Sequence, residues 1–152
     1  MKTLILGLGN DIRGDDGLPF YVIDELEKFY QNKNNIDFLK LSEAGFKLID
    51  VFDGYKQVII IDTIMSKDYK IGSVINYMYP KNIKHNKYFF SHNTGIIKLL
   101  EVLKELKLKI PEKIEFLLIN INNSDLFKTG FSFDYKKSIK KILKIIKFKI
   151  RR

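Results

Sequence analysis

The segment Leu4–Asp16 reads LILGLGNDIRGDD, an apolar run that breaks into Gly7-Leu8-Gly9-Asn10 and ends on two adjacent carboxylates. A short apolar run closed by a glycine turn and followed by an amphipathic stretch is how a buried strand feeds a helix. The same step recurs along the chain. Lys2–Gly7 predicts a strand, Gly17–Gln31 a helix with Val22, Leu26 and Phe29 on one face, and Ile36–Leu41 a second strand. Gly45 and a helical turn through Leu48, Ile49 and Phe52 lead into Gln57–Asp62, whose apolar run from Val58 ends on Asp62. Ser73–Met78 and Lys113–Ile121 read as further strands, with a helix over Asn93–Leu106 carrying Ile96, Leu99, Leu100, Leu103 and Leu106. Tyr79–Ser91 and Asn122–Phe131 read as loops. Alternating strands and helices with apolar strands predict an α/β chain, a mainly parallel twisted sheet with helices on both faces. With 152 residues and no repeat, linker or low-complexity segment, a single domain over 1–152 is expected.

Charge narrows the partners. The net charge is +9, but nine basic residues fall between Lys136 and Arg152 with no acid among them. Removing those nine from 27 leaves 18 basic residues against 18 acids, so the body is neutral and the tail carries the excess. Ile139, Ile142, Leu143, Ile146 and Ile150 recur there at helical spacing, which predicts an amphipathic helix with a lysine-rich face. A terminal helix packed on the domain, its basic face in water, is the simplest account. Docking of an acidic partner or a nucleic acid is the other. Only Tyr135 and Phe148 interleave the lysines, which weighs against nucleic acid. The absence of cysteine excludes disulfides, thiolate metal sites and a cysteine nucleophile. No apolar run approaches a membrane span and the start carries no signal-peptide pattern, so a cytoplasmic protein is expected.

The chemistry is expected where ligands gather in such sheets, beyond the carboxyl ends of the strands at a switch in strand order. Gly7 and Gly9 first suggest a nucleotide loop, yet the dinucleotide fingerprint wants a third glycine where this chain has Ile12. Asp15 and Asp16 also stand where a phosphate would approach. Asp16 follows the first strand, Asp62 closes VIIID, and His92 precedes the Asn93–Leu106 helix. Each has an ordinary explanation: Asp15 or Asp16 as a helix cap, Asp62 as a turn initiator, His92 as a surface residue beside a cap at Ser91 or Asn93. Together, two carboxylates and an imidazole form a metal set suited to nickel, zinc or iron. His85 has no assigned role. Gly7 and Gly9 are expected to serve the backbone of a tight turn, and Asn10 to hold that turn or face a substrate. HExxH, GxSxG and P-loop templates are all missing, and adjacent Ser91 and His92 cannot meet as nucleophile and base.

These landmarks resemble the hydrogenase maturation endopeptidases, which process the large-subunit precursor of NiFe hydrogenases. The likeness rests on Gly7-Leu8-Gly9-Asn10, a four-residue spacer, Asp15-Asp16-Gly17, the strand ending in Asp62, the Ser91-His92-Asn93 segment, and Glu43-Ala44-Gly45 after the second strand. Departures are Leu18-Pro19 where a further glycine is common, Thr63 where alanine is common, and a loose fit over Asn120–Phe131. The resemblance implies a three-layer sandwich of the phosphorylase/hydrolase type. It implies that Asp16, Asp62 and His92 contact nickel carried by the precursor, and that a C-terminal extension is then cut, Asp16 being the candidate catalytic carboxylate. The implied partner is the large-subunit precursor, with no nucleic acid and no membrane, and a monomer as default. The aromatic loop Tyr79–Ser91, with Tyr88, Phe89 and Phe90, covers either the substrate tail or the sheet edge. A noncatalytic nucleotide-binding module and a basic adaptor acting through the last helix remain as alternatives.

Overall fold

The computed structural model describes residues 2–30, 34–42, 45, 47–79, 94–122 and 129–150. Among the described residues five strands form one sheet: β1 (Thr3–Leu8), β2 (Ile36–Leu41), β3 (Gln57–Ile64), β4 (Val74–Tyr79) and β5 (Lys113–Asn120). Their order is β2-β1-β3-β5-β4. All neighbours run parallel except β4, which pairs antiparallel with β5. A mainly parallel sheet is therefore observed, with its one reversed strand at an edge. The helices among the described residues that cover it are α1 (Leu18–Tyr30), α2 (Lys47–Phe52), α3 (Thr94–Glu105) and α4 (Lys136–Ile150).

Period-two alternation sorts the strand residues between two cores. Leu4, Leu6 and Leu8 of β1 and Val58, Ile60 and Ile64 of β3 pack with Leu48 and Phe52 of α2 and Ile96, Leu100 and Leu103 of α3. On the opposite face Ile5, Ile59, Ile61, Leu117 and Ile119 meet Val22, Ile23 and Leu26 of α1 and Ile142 and Ile146 of α4. Strands β1, β3 and β5 are thus apolar on both sides, which is why they read as unbroken runs rather than as alternating ones.

Three expected details differ. Phe29 does not join the buried face of α1, because the sheet-facing stripe is Leu18, Val22, Ile23 and Leu26 and Phe29 is 68% exposed. Leu106 lies beyond the end of α3 and is exposed too. Asp62 does not end its strand. β3 continues to Ile64 because β5 stays beside it through the pair Ile64↔Asn120, although pairing with β1 stops at Gly7↔Ile61.

The basic helix packs as an amphipathic element, with Ile142 and Ile146 fully buried. It is also fastened by charge. Lys149 Nζ lies 2.5 Å from Oε1 of Glu115, a nearly buried carboxylate on β5, and Lys141 Nζ donates to the Val74 carbonyl. Among the described residues no helix is long and apolar enough to cross a membrane.

Candidate active site

The chain leaves β1 through α1 to reach β2 on one side, then crosses through α2 to β3 on the other. The switch in strand order therefore falls between β1 and β3, the place where sheets of this kind bind their ligands. Asp16 lies in the turn after β1 and Asp62 near the carboxyl end of β3, the two strands that flank this switch.

Leu8-Gly9-Asn10 leaves β1 and turns back on itself. Asn10 Oδ1 accepts from the Ile12 N–H at 3.1 Å and its carbonyl accepts from Arg13 N–H at 3.1 Å. Asn10 thus holds the turn through its own side chain, as asparagine commonly does. Its N–H donates to the Asp16 carbonyl at 3.0 Å, which closes the loop over residues 10–16. Gly7 and Gly9 are needed for a reason other than the expected one. Neither has positive φ, whereas Gly14 does, at 58°. The constraint is space: the Asp16 carbonyl occupies the volume of a Gly9 side chain, and Ile23 and the Pro19 carbonyl that of Gly7.

The acidic pair does not cap α1 directly. Asp15 and Asp16 lie in a 3₁₀ turn, Gly14–Gly17, that precedes the helix, and no side chain caps that turn. The two acids are also treated oppositely. Asp15 is fully buried: Oδ1 accepts from Ser132 N–H at 2.6 Å, and Oδ2 from the hydroxyls of Ser132 at 2.5 Å and Tyr135 at 2.8 Å. Burial, and then the hydrogen bond to Asp15, push the Tyr135 phenol well above its ordinary pKa, so that it stays a donor. Asp15 is therefore an anchor joining the first loop to the segment before α4. Asp16 is only partly buried, and its Oδ1 accepts from the Thr63 hydroxyl at 2.6 Å. Among the described residues no hydrogen bond reaches its other oxygen.

Asp62, also partly buried, accepts the Thr63 N–H on Oδ1 at 2.7 Å. The two expected carboxylates thus converge on one residue: Asp16 on the Thr63 hydroxyl, Asp62 on its amide. His92 lies outside the described residues, as do His85, Glu43, Ala44 and the loop after Tyr79. Among the described residues no three His, Asp or Glu side chains form a metal-holding group. Thr63, Ser132 and Tyr135 were not legible as site residues. Their partners lie 47, 117 and 120 positions away, and no local pattern signals such bonds.

The fold and this edge define an α/β protein with two carboxylates, Asp16 and Asp62, beside its topological switch point. Residues 20–148 match the family model described as hydrogenase maturation protease. A Methanocaldococcus jannaschii protein provisionally named a hydrogenase maturation protease is 30% identical over 98% of this chain and 96% of its own. A second such protein from that organism is 31% identical over 76% of this chain and 70% of its own. The hydrogenase maturating endopeptidase HybD from Escherichia coli superposes with a TM-score of 0.81 at 21% identity, over 99% of this chain and 93% of that one. The [NiFe] hydrogenase maturation protease HybD from Thermococcus kodakarensis gives 0.68 at 26%, over 97% of each chain. The chain belongs to the hydrogenase maturation protease family, and it is a peptidase.

Proposed function

We propose that this peptidase removes a C-terminal extension from a NiFe hydrogenase large-subunit precursor after nickel has been inserted, and that it recognises the nickel. The metal arrives as part of the substrate. Asp16, Asp62 and His92 are the residues assigned to contact it, and Asp16 is assigned the proton-accepting role during attack of water on the scissile carbonyl. The observation that carries this reading is that Asp16 and Asp62 both bond Thr63 beside the topological switch point, in a chain of this family. Two oxygen ligands and one imidazole leave coordination positions open, as a borrowed metal requires. Carboxylates also suit weak retention, so that the site engages nickel only when the precursor presents it. With this reading go a cytoplasmic location and a monomeric enzyme.

The test incubates the protein with nickel-loaded and nickel-free large-subunit precursor and follows subunit mass. Loss of a C-terminal peptide from the loaded form alone is expected. No cleavage of either form by a folded enzyme refutes the proposal. Asp16→Ala, Asp62→Ala and His92→Ala are each expected to abolish processing while unfolding stays cooperative.

A further inference from the structure

Thr63 belongs to β3 by register, opposite Ile119 of β5, and its side chain projects with Ile59 and Ile61 toward the α1 and α4 face. It is 7% exposed, and a polar residue so buried needs a partner. Its partner is Asp16, at 2.6 Å. A hydroxyl has one proton to give, and a hydrogen bond to an ionised carboxylate is among the stronger kinds. Its target is Oδ1 of Asp16, so Oδ2 is not engaged by Thr63. β-Branching leaves threonine few χ1 states, so the hydroxyl is itself well placed to hold a fixed position. On the other side of the strand the Thr63 N–H bonds Oδ1 of Asp62, whose neighbours at alternate positions belong to the α2 and α3 face. Thr63 thus bonds Asp16, from the turn before α1, through its hydroxyl, and Asp62, its neighbour in β3, through its amide.

We propose that Thr63 is a positioning residue of this site: its hydroxyl holds Asp16 in one orientation with Oδ2 presented to the substrate, while its amide holds Asp62. The role in turnover rests on the assignment of Asp16 to the reacting centre. The amide contribution survives any substitution that keeps the strand, so the hydroxyl is the part that mutagenesis can remove.

The experiment compares Thr63→Val, which keeps shape and β-branching, with Thr63→Ser, which keeps the donor. Thr63→Val is expected to lower kcat for processing of the nickel-loaded precursor by about tenfold or more, the equivalent of one charge-assisted hydrogen bond. KM for the precursor should be unchanged, and Thr63→Ser should restore most of kcat. In the free protein, side-chain NMR couplings of Asp16 should change from those of one χ1 rotamer to an average in Thr63→Val and stay single in Thr63→Ser. Wild-type kcat in Thr63→Val, or no recovery in Thr63→Ser, overturns the role in turnover. A single Asp16 rotamer in Thr63→Val overturns the positioning itself. Because the couplings need no substrate, a wild-type protein that leaves the precursor uncut would sink the proposed function while the NMR comparison still decides the role of Thr63.

Discussion

Replacing Gly9 by alanine tests the geometry of the first loop most directly. A Cβ on the native backbone would lie 2.2 Å from the Asp16 carbonyl oxygen, with the Pro19 ring at 3.3 Å on another side. Pro19, in the first turn of α1, is buried, so relief has to come from the carbonyl. Restoring an ordinary separation moves it by about 1 Å, and a misplacement of that size at a reacting group costs on the order of 100-fold in rate. The same shift stretches the bond from the Asn10 N–H, 3.0 Å in the native turn. Overpacking of this kind destabilises by about 1–3 kcal/mol. Gly7→Ala is the matched comparison. Its Cβ would meet Ile23 Cγ1 at 2.8 Å and the Pro19 carbonyl at 3.1 Å, so it strains the packing of α1 rather than the Asp16 turn. Precursor processing under single-turnover conditions, alongside urea unfolding, separates the two effects. Gly9→Ala should lose far more activity than Gly7→Ala for a similar loss of stability. Wild-type processing by Gly9→Ala, or a heavier loss of activity in Gly7→Ala, would refute the argument.

The other expectations concern stability. Lys149→Met leaves Glu115 buried without its cation and should cost about 3–5 kcal/mol in urea unfolding, most of it recovered in the double variant Glu115→Gln, Lys149→Met. Tyr135→Phe removes one of the hydrogen bonds to buried Asp15 and should cost about 1–3 kcal/mol, with slower processing as the turn carrying Asp16 loosens. The Lys2 ammonium at 2.8 Å, and then the Tyr55 hydroxyl, hold Asp37 below the ordinary carboxylate value of 3.8. Its contribution is present above that value and is lost as pH falls through the lower folded one. The stability difference between wild type and Asp37→Asn should therefore shrink on acidification across that window, and a difference that grows there would contradict the sign.

The sheet and its helices were legible because burial on two faces writes itself into the sequence as apolar runs, and burial on one face as a helical stripe. Strand ends were less legible. VIIID looks finished at Asp62, yet the partner strand decides where pairing stops, and β5 carries β3 on to Ile64. Phe29 failed as a core residue because helical periodicity gives a stripe but not how far along the helix the sheet reaches. At the site, Asp16 and Asp62 stood out by residue type and by position after strands. The division of labour within the acidic pair did not, since Asp15 and Asp16 differ only in partners more than 40 residues away. Gly9 was legible as a requirement but not for its cause, which is the volume occupied by a carbonyl seven positions later.

The anchoring of Asp15 to Ser132 and Tyr135 has a consequence for the order of assembly. On the ribosome the β1 loop is made early, but the partners of its buried acid arrive 117 and 120 residues later. Until they dock, the loop bearing Asp16 has only its local bonds and Thr63 to order it, and its second acid faces an unfinished interior. Chains interrupted before Ser132 are therefore expected to lack an ordered Asp16. In a protease, that ties cutting ability to completion of the fold and guards the cell against active fragments.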